Sequence, residues 1–133
     1  KTINVVMIKD FLIINFTGNN DSIGLRVNNN FFVKKIQTNI KKKGLLVNNI
    51  YELINEKKAT IDKNFSVIVN IGPGSFSGIR ISLAIAKGIK IANGSKIYGY
   101  KNSNLSEFNL KNIELLFQKN LIENNLIKPV YLS

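Results

Sequence analysis

The nine residues Gly72-Pro73-Gly74-Ser75-Phe76-Ser77-Gly78-Ile79-Arg80 concentrate more special residue types than any other stretch of this sequence. An apolar run, Ser66 to Ile71, precedes them, and a helix-like stretch, Ile81 to Ala92, follows. Strand, glycine-rich turn and helix aim backbone N–H groups and a helix N-terminus at one spot, which is the physical recipe for an anion site. Two familiar phosphate motifs are excluded. Ile79-Arg80 stands where a P-loop requires Lys followed by Ser or Thr, and Gly72, Gly74 and Gly78 space as G-x-G-x-x-x-G, one residue too long for the dinucleotide fingerprint. The competing reading is a stiff strand-to-helix corner, with Ser75 or Ser77 capping the helix, Pro73 fixing one φ and Gly74 taking a positive one. On the residues alone both readings stand.

Other chemistry is scarce. The chain has no cysteine and no histidine, which removes disulfides, thiolate chemistry, the usual zinc sites and any Ser-His or Cys-His nucleophile pair. Its acids are Asp10, Asp21, Asp62 and five glutamates, none spaced as a catalytic pair. Asp21 sits in a turn cluster beside Thr17 and Ser22, where a turn-forming role is the commoner one and a metal-bound phosphate the rarer. No catalytic residue, metal ligand or cofactor is expected. The formal charge of +11 is carried by seventeen lysines and two arginines in a chain crowded with Asn and Ile. Those are the residues AT-rich codons supply, so the basicity speaks weakly for nucleic acid. Arg26 and Arg80 stand out against that background.

These residues need elements to position them. Phe11 to Phe16 reads as a buried strand, Thr17 to Asp21 as a turn, and Ser22 to Val27 as a second strand. Asn28-Asn29-Asn30 makes a tight turn and Phe31 to Ile36 a third strand, giving a three-stranded antiparallel meander. From about Lys41 to Lys57 the spacing of Leu46, Ile50, Leu53 and Ile54 is helical. After the strand at Val67 to Ile71 and the helix to Ala92, Asn93-Gly94 forms a helix stop. Lys96 to Tyr100 is a fifth strand and Leu105 to Asn124 a last helix, with Leu110, Ile113, Leu116, Phe117 and Leu121 on one side. Pro129 to Leu132 is extended. The order implies an α/β domain: a mixed sheet with helices packed against it.

The helix after the glycine run is apolar over about twice the arc of roughly 100° that a one-sided surface helix needs. Arg80, Lys87 and Lys90 fill a narrow arc. Small residues form two ridges, Gly78-Ser82-Ala86 and Ala84-Gly88-Ala92. Either the fold itself buries this helix, or a second face receives a partner.

At 133 residues the chain has the size of one domain. No apolar run is long enough to span a bilayer, and Lys1 to Asp10 shows no apolar core with a small-residue cleavage site. A cytoplasmic setting without membrane contact is expected, with Met7 a natural start.

Gly72 to Arg80 followed by Ile-Ser-Leu-Ala-Ile-Ala-Lys-Gly-Ile resembles the G-P-G-S-F-T-G-x-R-x-G-x-x-x-A-x-G-L signature of the TsaB (YeaZ) family, the non-catalytic subunit in bacterial tRNA threonylcarbamoyladenosine synthesis. Phe11 to Thr17 resembles that family's opening strand and turn, Gly44 to Ile54 its first helix, Ile97 to Tyr100 the strand after its second helix, and Pro129 to Leu132 its C-terminal end. The resemblance implies a ribonuclease-H-like (actin/hexokinase-like) lobe over residues 11–104, after an N-terminal extension (1–10) and before a truncated C-terminal helix and tail (105–133). It implies a scaffold that docks the catalytic TsaD-like transferase through two helices, here by Leu46, Ile50, Leu53, Ile81, Ser82, Ala84, Ile85, Gly88 and Ile89. A TsaE-like ATPase is a further implied partner, tRNA is reached indirectly through the complex, and a homodimer forms when the subunit is alone. Three departures bear on this. Asn15 replaces the Asp that holds metal and phosphate in nucleotide-hydrolysing relatives, Lys42-Lys43 replaces the His-Ser before the first helix, and the second lobe is nearly missing. The alternative from another class is a stand-alone nucleotide or anion binder built on the Gly72–Gly78 turn.

Overall fold

A computed structural model describes residues 10–37 and 44–123. The chain runs β1 (Phe11–Asn15), β2 (Ser22–Val27), β3 (Asn30–Lys35), α1 (Leu45–Lys57), β4 (Ser66–Asn70), α2 (Phe76–Asn93), β5 (Lys96–Tyr100), a 3-10 turn (Asn102–Asn104) and α3 (Leu110–Gln118). The five strands form one sheet in the order β3-β2-β1-β4-β5. β1, β2 and β3 are the antiparallel meander, with Phe11 opposite Arg26 and Val27 opposite Asn30. β4 joins β1 in parallel, Leu12 beside Val67, and β5 joins β4 in parallel, Ile68 beside Tyr98.

The turn between β2 and β3 is made by Asn28 and Asn29, with φ of 52° and 65°. Two consecutive left-handed residues suit a two-residue hairpin, and asparagine accepts that region better than other side chains with a Cβ. The sheet is covered on both faces, which explains why β1 and β4 read as unbroken apolar runs rather than alternating ones. Leu12, Ile14, Val67 and Val69 face the layer made by Leu46, Ile50 and Leu53 of α1 and Ile79, Leu83 and Ala86 of α2. Phe11, Ile13 and Ile68 face the other way, onto Ile113 and Leu116 of α3. Phe117 of α3 meets Tyr98 edge-on, with ring centroids 6.1 Å apart.

Three expectations shift. The helix after the glycine run begins at Phe76, not Ile81, because Ser75 already caps it. The last helix is shorter than Leu105 to Asn124: the Asn109 side chain accepts from the Asn112 N–H and starts it at Leu110, while Asn120 at φ 56° cannot continue it. The α1 helix begins at Leu45 after Gly44 in the left-handed region. Lys42-Lys43, the N-terminal extension up to residue 9 and Pro129 to Leu132 lie outside the described residues.

Candidate functional site

The glycine run is a corner tied to the β1–β2 turn. The Ser75 N–H donates to the Thr17 carbonyl at 2.8 Å, and the Asn102 N–H donates to the Gly72 carbonyl at 2.9 Å. The Gly72 N–H donates to Asn70 Oδ1 at 2.9 Å, the Gly78 N–H to Ser75 Oγ at 3.3 Å, and the Ile79 N–H to the Ser75 carbonyl at 3.0 Å. Four N–H groups of the run, those of Gly72, Ser75, Gly78 and Ile79, are therefore spent inside the protein. Gly72, at φ 101°, holds the positive dihedral that the sequence suggested for Gly74. Gly74 is required by proximity instead: a Cβ there would stand 2.6 Å from the Thr17 Cβ. At Gly78 a Cβ would fall on the Phe16 carbonyl oxygen. Ser77 pairs its hydroxyl with that of Ser75 at 3.3 Å, and Arg80 extends outward with its guanidinium 5.1 Å from the centre of the exposed Phe76 ring. Pro73 is exposed.

The residues expected to dock a partner separate into two groups. Leu46, Ile50 and Leu53 belong to the core against the sheet, and Ser82 is buried with its hydroxyl donating to the Gly78 carbonyl at 2.8 Å. The sheet claims the same helical stripe that periodicity picks out, so all four are buried, and of them Ile50 alone also reaches the wall of the groove between α1 and α2. The first small-residue ridge, Gly78-Ser82-Ala86, is likewise the inward one. Ile81, Ala84 and Gly88 are exposed, and Ile85 and Ile89 half-buried. Of these, Ile85, Gly88 and Ile89 line an apolar groove of about 350 Å³ between α1 and α2, together with Val47, Ile50, Tyr51 and Ile54 among others. A Cβ built on Gly88 meets nothing within 4 Å. Tyr51 is 64% exposed and Ile91 85%. Neither was singled out by the sequence reading, although each lies off the core-facing stripe of its helix.

A second, polar cavity of about 430 Å³ opens where β1, β4 and β5 end. The Asn70 side chain donates to Asn15 Oδ1 at 3.0 Å and to Asn102 Oδ1 at 3.1 Å. The Thr17 hydroxyl donates to Asn15 Oδ1 at 3.1 Å, and the Asn15 amide donates to the Asn20 carbonyl at 3.1 Å. The Tyr100 hydroxyl is fully buried against Asn70 yet makes no hydrogen bond of adequate geometry, and burial pushes it well above the usual tyrosine range. The signal for this cluster was an Asn closing each of two buried apolar strands, a costly place for an amide without partners. Asp21 is turn-forming: its carboxylate accepts from the Gly18 N–H at 2.9 Å. Burial raises its pKa, opposed by the N–H groups of Gly18, Thr17 and Asn19. Among the described residues, no helix is long and apolar enough to cross a membrane.

No protein-family model matches the chain, and no curated protein matches it by sequence. Solved structures match by fold. YeaZ from Pseudomonas aeruginosa superposes with a TM-score of 0.61 at 16% identity, over 71% of this chain and 44% of that one. A structure described as an uncharacterized protein with similarity to peptidase YeaZ, also from Pseudomonas aeruginosa, gives 0.60 at 17%, over the same shares. The chain thus spans less than half the length of either. What it shares with them is the fold, a single α/β domain of the ribonuclease-H-like (actin-like) type with a five-stranded mixed sheet.

Proposed function

We propose that this chain is a non-catalytic scaffold subunit that docks a TsaD-like transferase and so serves threonylcarbamoylation of the adenosine beside the anticodon of tRNA. The observation that carries the reading is the apolar groove between α1 and α2. Both helices already bury one stripe against the sheet, yet Tyr51 stays exposed in the wall of that groove and Ile81 and Ile91 stay exposed elsewhere on α2. Apolar surface of this kind gains about 25 cal/mol per Å² when a partner covers it. The exposed ridge Ala84-Gly88-Ala92 lets a partner helix approach closely. The signature at Gly72 to Arg80 and the YeaZ-like fold support the choice of partner. Asn15 supports the absence of chemistry in this subunit, since an amide at the end of β1 lacks the charge a carboxylate offers a metal-bound phosphate. In the same reading a TsaE-like ATPase joins the assembly, tRNA is met through the complex, and the groove closes on a second copy when the chain is alone.

The test is co-expression with the TsaD-like protein of the same cell. The wild-type chain is expected to co-elute with it. Ala84→Arg and Gly88→Arg, both at exposed positions, are expected to fold normally and lose the complex. Retention of the complex by both folded variants overturns docking through this face.

A further inference from the structure

We propose that the outer edge of β3 is a docking strip for an extended segment of a partner protein, acidic and apolar in alternation, which adds to the sheet as a further strand. The strip is separate from the groove between α1 and α2, and three observations carry it.

The first is the direction of the backbone groups. β3 ends the sheet on one side. The Ile36 N–H donates to the Asp21 carbonyl at 2.9 Å. Bonded and non-bonded pairs alternate along an antiparallel ladder, so Ile23–Lys34, Leu25–Phe32 and Val27–Asn30 are the bonded ones. The N–H and C=O groups of Phe31, Val33 and Lys35 therefore point away from β2, and among the described residues no strand pairs with them. The opposite edge differs: Glu123 meets β5 there, exchanging two hydrogen bonds with Gly99.

The second is that this edge lacks most of the devices that keep strands apart. β3 runs six residues without proline, and its register with β2 is one to one, without a bulge. Short length, proline, bulges and charge are the usual protections, and here only charge is present, as Lys34 and Lys35. Val33, between Phe32 and Lys34, is 47% exposed.

The third is the chemistry on each side of the strip. Phe32 packs with the layer of α1, where the Lys57 ammonium lies 4.2 Å from the centre of its ring and Lys34 meets Glu52 at 2.8 Å. Phe31 packs on the opposite face, which Val33 and Lys35 share by alternation. A strand laid beside β3 thus meets lysines on the α1 side and an apolar surface on the other. Acidic residues suit the first side and apolar ones the second, which is the alternation proposed. Main-chain bonds supply the pairing and the alternate side chains the selectivity. A second copy of this chain fits less well, since pairing would bring together two molecules of formal charge +11.

The experiment is an NMR titration of the full chain, at low salt and neutral pH, with the capped heptapeptide Glu-Val-Glu-Val-Glu-Val-Glu. The comparison peptides carry lysine in place of every glutamate, or proline in place of every valine. The glutamate peptide is expected to bind with Kd at or below about 1 mM and to slow hydrogen exchange at the Phe31, Val33 and Lys35 amides. Val33→Pro removes an N–H that β2 does not use, so the variant is expected to fold and to bind more than tenfold more weakly. Lys35→Glu, at an exposed position, is expected to weaken binding about fivefold. Unmoved edge amides, equal binding of either comparison peptide, or wild-type affinity in both folded variants overturns the proposal. So does a dimer of the chain alone that protects the same three amides, which makes a second copy the occupant.

Discussion

The Ser75 N–H donates to the Thr17 carbonyl at 2.8 Å, joining the corner before α2 to the turn after β1. β1 and β4 lie side by side in the sheet, and this bond ties together the loops that follow them, two residues past the end of β1 and five past the end of β4. It accounts for the glycine content of the run better than an anion does. Gly74 lies against Thr17 and Gly78 against Phe16, and the two glycines let the corner close on that turn. Ser75 then caps α2 and fixes the direction in which its outer face points.

Gly78→Ala is accordingly expected to be among the most damaging single changes in the corner. The added Cβ falls on the Phe16 carbonyl oxygen, a backbone atom that cannot rotate away. A loss of about 3 kcal/mol is expected, seen as a lower urea midpoint at unchanged slope. A midpoint within experimental scatter of the wild type contradicts the close approach.

Gly88→Ala has the opposite sign. The site is exposed and a Cβ meets nothing within 4 Å, so the substitution only removes backbone freedom from the unfolded chain. The expected gain is about 0.5–1 kcal/mol, measured by the same denaturation.

Tyr100→Phe is expected to leave the free protein as stable as before or more so, by about 1 kcal/mol, because it deletes a buried hydroxyl that has no hydrogen bond. A loss of more than about 1 kcal/mol in thermal or urea unfolding would mean that the hydroxyl is satisfied after all.

Asp21 gives a pH dependence of defined sign. Burial raises its pKa in the folded state, so the folded chain holds the proton more tightly than the unfolded one. Its contribution to stability is therefore largest at acid pH and falls as pH rises from the ordinary aspartate value through the raised one. Asp21→Asn is expected to flatten that segment of the stability profile, since the amide oxygen can still accept from the Gly18 N–H. An unchanged slope in urea unfolding across the acid range rules this out.

The sheet was legible because each strand announced itself locally. Phe11 to Ile14 and Val67 to Val69 are unbroken apolar runs, and Asn28-Asn29 sits where a hairpin must reverse. The inward and outward faces of the two helices were less legible. Leu46, Ile50 and Leu53 satisfy the same periodicity whether the stripe meets the sheet or a partner, and only the tertiary structure assigned them to the sheet. The Asn15-Asn70-Asn102 group was hidden for a different reason. Its members are 55 and 32 residues apart along the chain, and an isolated asparagine at a strand end reads as the start of a turn.

The parallel pairing of β1 with β4 also sets an order of assembly. β1, β2 and β3 follow one another through short turns, whereas the edge of β1 that receives β4 waits for a strand more than fifty residues later. During synthesis a meander therefore exists for a time with Phe11 to Asn15 unpaired along one side, an apolar edge able to accept a strand from another chain. Once Ser66 to Asn70 emerges, that opening closes. Conditions that slow elongation across residues 36–65 should consequently be the ones under which this protein aggregates as it is made.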